Sequence, residues 1–281
     1  MLRYRDAFLP TKPVPAAGDA APGPYGRATG TVVLVALAAF CLATMAVAQQ
    51  AAEPKPSAIE VLIRWAPLLL WGFLFNIVIS VLAMAIGTAA GVPVGLGQIS
   101  NVRLVRGTAR VVTQIFRNSP WLVLLFLCMF LIPFEIRLFG LRIPFPDWAK
   151  ATFGFALPVM ANTSELVRGA IRSIPIGQWE SASALGLTRR QSLYLVILPQ
   201  SLKRMLPPWM NLYSLIIMST VNASIVGVSE MVTLTAQVHA AEGSRPELLA
   251  PLYAFVLLCF FIYCYPIGKW TLYLERRFDN R

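Results

Sequence analysis

The chain has 281 residues, of which 57% are hydrophobic and 13% charged, and its mean hydropathy is +0.65. Soluble domains carry about 25% charged residues, and half that share cannot cover a surface that faces water. The net charge of +11 would fit nucleic-acid binding in a soluble protein, but here the basic residues lie between apolar blocks. The composition therefore predicts an integral membrane protein and excludes nucleic acid as a partner.

Apolar blocks of about 20 residues predict about six transmembrane helices and hence an all-α membrane fold. The cytoplasmic segments of the arrangement with both termini inside hold 18 of the 24 Lys and Arg residues. Because basic residues accumulate in cytoplasmic loops, this bias predicts a multi-pass protein with a cytoplasmic C-terminus. The predicted spans are 29–48, 67–91, 114–133, 149–167, 207–228 and 250–270, and the cytoplasmic segments are 1–28, 98–117, 165–206 and 269–281.

The N-terminal region carries two separate predictions. Residues 1–28 are rich in Pro, Gly and Ala and contain four basic residues, which is typical of a disordered basic cytoplasmic tail. The block at 29–48 fits an additional transmembrane helix, and the sequence Ala46-Val47-Ala48 near its end also resembles a signal-peptidase site. We favour the uncleaved helix. Cleavage would leave five helices with the N-terminus outside.

The second block contains glycines at four-residue intervals, Gly87, Gly91 and Gly95. This tandem GxxxG pattern predicts that another helix packs closely against it.

The longest cytoplasmic segment contains the signals for two short helices. Pro175 suits the first turn of one helix, and Gly186 suits the position after its end, where a positive φ is needed. Thr188 and Gln191 form a capping box that begins a second helix, which we expect to stop before Pro199. The first helix carries one carboxylate beside small residues, a pattern that fits either a docking helix for a soluble partner or an amphipathic interfacial helix.

The same segment resembles the EAA motif of the permease subunits of ABC importers. The matching residues are Glu180-Ser181-Ala182, Gly186 and Val196-Ile197-Leu198-Pro199, with Ser181 and Val196 as mild departures. Similar stretches of the polar amino-acid (histidine, glutamine and arginine) branch are Phe116–Val123, Glu165–Ile171 and Ser173–Glu180. The resemblance covers 67–278 and implies a MetI-like permease domain with coupling helices at about 173–199. Its usual plan has five helices, so the block at 29–48 is an addition.

The resemblance implies a transport machine of several subunits in the bacterial inner membrane. Two permease subunits, identical or homologous, form the pathway, two ABC ATPase subunits bind the coupling helices, and a periplasmic solute-binding protein delivers the solute. The chain has no P-loop, so ATP binding falls to the partner and no cofactor is expected here. The residues expected to couple to the ATPase are Glu180, Ser181, Ala182, Gly186, Leu198 and Pro199.

A polar stripe on the fifth block is a candidate substrate pathway. A step of 100° per residue places Asn211, Ser214, Met218 and Asn222 on one helix face. The alternative is hydrogen bonding between helices, which is common in membranes. Many relatives have Lys-Asp-Thr-Ser where this chain has Met218-Ser219-Thr220-Val221, which leaves the charge of the substrate open and suggests that a second permease supplies ligand contacts.

Glu165 and Arg168, three residues apart, fit a structural ion pair near the inner interface, with a role for Glu165 in the pathway as the alternative.

The sequence argues against other classes of function. A single histidine, His239, without a second histidine or a cysteine pair, predicts no metal site. The intramembrane Ser and Thr residues lack a base, so no catalytic residues are predicted. The expected function is amino-acid import, with an opine, ectoine or a quaternary amine as alternative cargo. A passive channel would not explain the EAA spacing.

Overall fold

The computed structural model describes residues 56–138 and 141–279, and the part it describes is almost entirely helical. This confirms the all-α class. The helices are α1 (Ala58–Gln98), α2 (Arg103–Asn118), α3 (Trp121–Leu131), α4 (Asp147–Arg172), α5 (Ile176–Ala184), α6 (Arg189–Gln191), α7 (Leu198–Ser219), α8 (Met231–Ala241) and α9 (Pro246–Asp279); a π-helical turn spans Ser192–Ile197, a 3-10 helix spans Thr220–Val226, and strands β1 (Glu135–Leu138) and β2 (Leu141–Pro144) precede α4.

Among the described residues, three helices are long and apolar enough to cross a membrane. They are Ala58–Gln98, the continuous helix Arg189–Val226, and Pro246–Phe278; α2 and α3, bent by 104°, make a fourth if the pair forms one span. The predicted spans at 67–91, 114–133, 207–228 and 250–270 lie on these helices. The block at 29–48 and the tail at 1–28 lie outside the described residues.

The predicted span at 149–167 falls within α4, whose 26 residues would extend about 39 Å. This helix is less apolar than the long helices α1 and α9 because it lies inside the bundle, where its polar side chains face protein. Four of them are almost completely buried: Lys150, Thr152, Thr163 and Ser164. Packing against α1, α2, α3 and α7 therefore replaces much of the contact with lipid.

Close packing of α1 on α4 runs along the tandem glycines, as the sequence predicted. A Cβ atom on Gly87 would lie 2.5 Å from the Cβ of Val159, and one on Gly95 would lie 2.7 Å from the Cβ of Val167. Real Cβ atoms do not approach so closely, so only glycine permits this separation. The buried cluster around this contact includes Ile79, Ala83, Leu125, Phe155, Val159 and Ile216.

A short antiparallel hairpin joins α3 to α4 and is the non-helical addition within the described residues. Glu135 pairs with Pro144, and Leu138 pairs with Leu141. At the base of the hairpin, Lys150 is completely buried, with its Nζ atom 3.3 Å from the ring centroid of Phe134 and 3.4 Å from Oδ1 of Asp147. The cation–π contact and the ion pair thus offset part of the cost of burying this charge at the start of α4.

Candidate coupling helix and transport pathway

The predicted docking helix is α5, and both of its ends follow the local signals. It begins directly after Pro175 and ends in a Schellman motif. In this motif the N–H of Leu187 donates to the carbonyl of Ala182, and the N–H of Gly186 donates to that of Ser183. Gly186 has φ = +76°, the left-handed conformation that the sequence predicted.

The residues of the EAA motif lie on different faces of α5. Glu180, Ser181 and Gly186 are exposed, whereas Ala182 is only 2% exposed and packs within the chain. Two large apolar side chains are also exposed at the ends of this region, Ile176 at 75% and Leu185 at 80%. The exposed face thus combines a carboxylate with apolar groups, which suits a protein partner.

A small apolar cluster attaches α5 to the membrane helices. Its buried members Val167 and Ile171 come from α4, Ile174 precedes α5, and Ile197 ends the π-helical turn. Trp179 of α5 and Leu198 of α7 pack against this cluster. Polar contacts reinforce it, since Gln200 Nε2 donates to Gln178 Oε1 at 3.1 Å and Arg204 Nη1 donates to the carbonyl of Ser173 at 2.8 Å.

The second predicted helix does not stop before Pro199, so that expectation is wrong. The capping box of Thr188 and Gln191 begins it as predicted, but the chain then forms a π-helical turn and continues as α7. In an α-helix the ring of Pro199 would clash with the carbonyl four residues earlier. The wider turn at Ser192–Ile197, in which the N–H of Leu198 donates to the carbonyl of Leu193, coincides with that position. Pro199 itself is exposed and Leu198 is half-buried.

Glu165 forms the predicted ion pair with Arg168 and also contacts a second cation. Arg168 Nε lies 3.2 Å from both carboxylate oxygens, and Arg117 Nη1 lies 3.5 Å from Oε2. Arg117 stands at the end of α2, just before the bend at Ser119-Pro120 that leads into α3. Glu165, which lies on α4, therefore connects α4 to the end of α2, next to the bend into α3.

A buried hydrogen-bond cluster lies beside this ion pair. Gln98 Nε2 donates to Thr113 Oγ1 at 3.1 Å and to Ser164 Oγ at 3.2 Å, and the two hydroxyl groups lie 2.8 Å apart. All three side chains are at most 1% exposed. The cluster joins α1, α2 and α4, so these three helices are held as one unit at this level of the bundle.

The predicted polar stripe does not form one surface. Ser214 is buried and donates to the carbonyl of Met210, whereas Asn211 and Met218 are exposed. Asn222 falls in the 3-10 helix, where a step of 120° per residue takes it out of phase with α7. Ser219 Oγ donates to the carbonyl of Leu215. A role in the pathway for these residues stays a prediction.

Thr220 belongs to a buried polar site that the sequence analysis missed. Asn76 Nδ2 donates to Thr220 Oγ1 at 2.9 Å and to Glu230 Oε2 at 3.0 Å, and the side chains of all three residues are completely buried. Glu230 is also the N-cap of α8, accepting from the N–H groups of Val232 and Thr233. A lone amide within an apolar block, as at Asn76, is the signal that could have led to this site.

The comparisons with known proteins identify the class. A family model described as the inner membrane component of binding-protein-dependent transport systems matches residues 83–280. The chain belongs to this family. It is therefore a multi-pass inner-membrane subunit of an ABC importer, which works with an ATPase and a solute-binding protein and performs no bond chemistry of its own.

Individual relatives match most of the chain. The L-cystine transport system permease protein TcyB of Bacillus subtilis (strain 168) is 30% identical over 215 residues, covering 76% of this chain and 88% of the relative. The nopaline transport system permease protein NocM of Agrobacterium fabrum (strain C58 / ATCC 33970) is 31% identical over 212 residues, covering 73% and 86%.

Two solved structures share the fold. An amino acid ABC transporter with histidines matches with a TM-score of 0.66 and 23% identity over 77% of this chain and 96% of its own. The MetNI methionine ABC transporter in an inward-facing conformation gives a TM-score of 0.60 and 21% identity over 76% and 98%. Together they confirm the MetI-like permease fold.

Proposed function

We propose that this chain is the permease subunit of an importer that moves an amino acid inward across the membrane. The observation that carries the proposal is the set of relatives that are permeases of amino-acid systems, among them the L-cystine protein, nearly nine-tenths of which is matched. The nopaline relative supports an opine as the second candidate cargo.

The ATPase contact is proposed to lie on the exposed face of α5. Glu180, Ser181 and the apolar Ile176 and Leu185 offer both charge and apolar area to a partner. Because the cluster of Ile171, Ile174 and Ile197 connects α5 to α4 and α7, a displacement of α5 by the ATPase would reach both helices. This supports the coupling role of Glu180, Ser181 and Gly186, while Ala182, Leu198 and Pro199 would act by positioning α5.

A second permease subunit, identical or homologous, is proposed to pack in the membrane against α7 and α9. An open apolar groove of about 790 Å³ lies there between Met218, Val221, Tyr253, Leu257 and Phe261. Its size and its apolar walls suit a helix from another subunit, with lipid as the competing occupant. Cysteines at Met218 and Leu257, in a chain without its natural cysteines, should cross-link between subunits of the assembled importer; cross-linking confined to aggregates would contradict this surface.

The test of the proposed function is affinity purification of the full chain, tagged at the C-terminus, from mild detergent. We expect an ABC ATPase subunit to co-elute, with or without a second permease, and the sample to hydrolyse ATP. A stable, folded sample without any ATPase would refute the coupling role and favour a passive channel.

The cargo is then read from the matching binding protein. The binding protein is added to the purified complex together with cystine, glutamine or nopaline, and ATP hydrolysis is measured with each solute. Faster hydrolysis with cystine or glutamine supports amino-acid import, and faster hydrolysis with nopaline alone supports the opine. No increase with any of the three contradicts both candidates.

The cytoplasmic position of the C-terminus is also proposed. It rests on the charge bias and on the cavity that brings Ser173, at the α5 end of the bundle, together with Glu275 near the end of α9. A fluorescent reporter that folds only in the cytoplasm should be active when fused after Arg281.

A further inference from the structure

A cavity of about 900 Å³ opens between α2, α5 and the start of α6, and Ile176 of the exposed face of α5 is among the residues that line it. Four arginines contribute to its walls: Arg106, Arg110, Arg172 and Arg189. Trp179 adds an aromatic surface, and Asn101, Ser183 and Ser192 add neutral hydrogen-bonding groups.

The charge of this cavity is not balanced by the residues around it. No carboxylate lies among the described residues that line it. The ion pairs within the described part of the chain involve other cations, namely Arg64, Arg117, Lys150, Arg168 and Arg245. Arg106 Nη1 donates to the carbonyl of Ser100 at 2.9 Å, which fixes the direction of one guanidinium group without neutralising it.

The side chains of α2 are arranged as in helices that lie at a membrane surface. At 100° per residue, Arg103, Arg106, Arg110 and Arg117 fall within an arc of about 60°. A separate stripe of exposed apolar side chains contains Leu104 at 75%, Ile115 at 55% and Val111 at 58%. A helix with one basic face and one exposed apolar face is typical of the interface between lipid headgroups and acyl chains.

We propose that the cavity binds a phosphate group. Guanidinium groups hold phosphate oxygens in bidentate pairs, and basic pockets between membrane helices on the cytoplasmic side bind anionic headgroups. The apolar stripe of α2 beside the cavity favours the headgroup of an anionic phospholipid as the source, and soluble phosphate is the other source of the same chemistry.

A bound phosphate would bring together parts of the chain that now repel one another. Arg106 and Arg110 come from α2, Arg172 ends α4, and Arg189 begins α6. The phosphate would offset this repulsion beside Trp179, so it would hold α5 in its position against α2. The lipid composition of the membrane would in this way affect the helix that we assign to ATPase docking.

The test is native mass spectrometry of the full-length chain with bound lipid. The chain is delipidated in detergent and titrated with phosphatidylglycerol or phosphatidylcholine. The variant R106Q/R110Q removes two cavity arginines, and the control R190Q/R276Q removes two exposed arginines that neither line the cavity nor lie on α2. Thermal unfolding of each variant confirms that it is folded.

We expect the natural chain and the control to retain phosphatidylglycerol in preference to phosphatidylcholine, and the cavity variant to lose at least about tenfold in affinity. Competition by millimolar inorganic phosphate, with no preference between the two lipids, would support phosphate binding with a soluble source. Equal retention of phosphatidylglycerol by the cavity variant and the control would overturn the proposal. Because binding is read directly, this result does not depend on the transport function.

Discussion

Gly91 of α1 lies against Thr163 of α4 so closely that a Cβ atom on the glycine would come within 2.7 Å of the Cβ of Thr163. The carbonyl of Met160 would be equally close. Neither neighbour can move independently, because one is a backbone group and the other is a β-branched side chain. The two helices thus meet at backbone distance, one turn from the similar contacts at Gly87 and Gly95.

Replacing Gly91 by alanine should therefore destabilise the permease. Overpacking of this kind costs about 1–3 kcal/mol, which lowers the melting temperature in detergent. Gly169→Ala is the matched control, because Gly169 likewise lies within a long helix, here α4, and a Cβ atom there meets nothing within 4 Å. That variant should be unchanged or slightly stabilised, since alanine favours a helix more than glycine does. Equal effects of the two substitutions would contradict the packing argument.

Gly186→Ala should impair transport through backbone conformation alone. The φ of +76° costs a residue with a Cβ atom about 1–2 kcal/mol, while open space around Gly186 excludes a steric clash. We expect less uptake of solute at an unchanged amount of inserted protein, and complete loss with Gly186→Arg.

Gly177→Ala is the control for that experiment, since Gly177 lies on the same helix in equally open space without a positive φ. Uptake that falls by the same factor in Gly177→Ala would show that the Schellman motif is not the cause.

Glu180→Lys should abolish uptake and ATPase co-purification while leaving membrane insertion intact. The side chain is exposed on α5, so its reversal of charge acts on a partner rather than on the fold. Glu275→Lys serves as the comparison, because Glu275 is also exposed but lies near the end of α9, outside the coupling motif. Retained uptake in Glu180→Lys would refute the docking surface.

Glu230→Ala should lower stability by about 1–3 kcal/mol, because it removes an N-cap and leaves the buried Asn76 amide short of an acceptor. Glu230→Gln should have a smaller effect, since one oxygen remains. In a double-mutant cycle with Asn76→Ala, thermal unfolding should show that the combined loss is smaller than the sum. Strict additivity would contradict an energetic link between the two residues.

Local chemistry explains what could be predicted from the sequence. Gly186, Thr188 and Gln191 act on their own neighbours, so the ends of α5 and the start of α6 follow from a few residues. The glycine repeat of α1 also specifies a close contact, although it does not name α4 as the partner.

Contacts between residues far apart in the chain explain what could not be predicted from the sequence. Asn76 and Glu230 are 154 positions apart, so their hydrogen bond exists only once α1 lies beside the start of α8. Pro199 misled the prediction because the local rule ends a helix there, whereas the chain retains the helix by widening one turn. The widened turn leaves Ile197 buried in the cluster with Val167, Ile171 and Ile174, a contact with α4 that no local rule contains.

The π-helical turn at Ser192–Ile197 also holds a spare residue, because a π-turn contains about one residue more than an α-turn. Pro199 prevents the loss of that residue, since its ring would meet the carbonyl four residues earlier in an α-turn. In a chain that carries Pro199→Ala, deleting one residue within the turn should convert it to α while α7 keeps its rotational phase relative to α5. The same deletion in the middle of α7 would rotate one half of that helix by about 100° against the other and would turn the completely buried Ile216 away from the core.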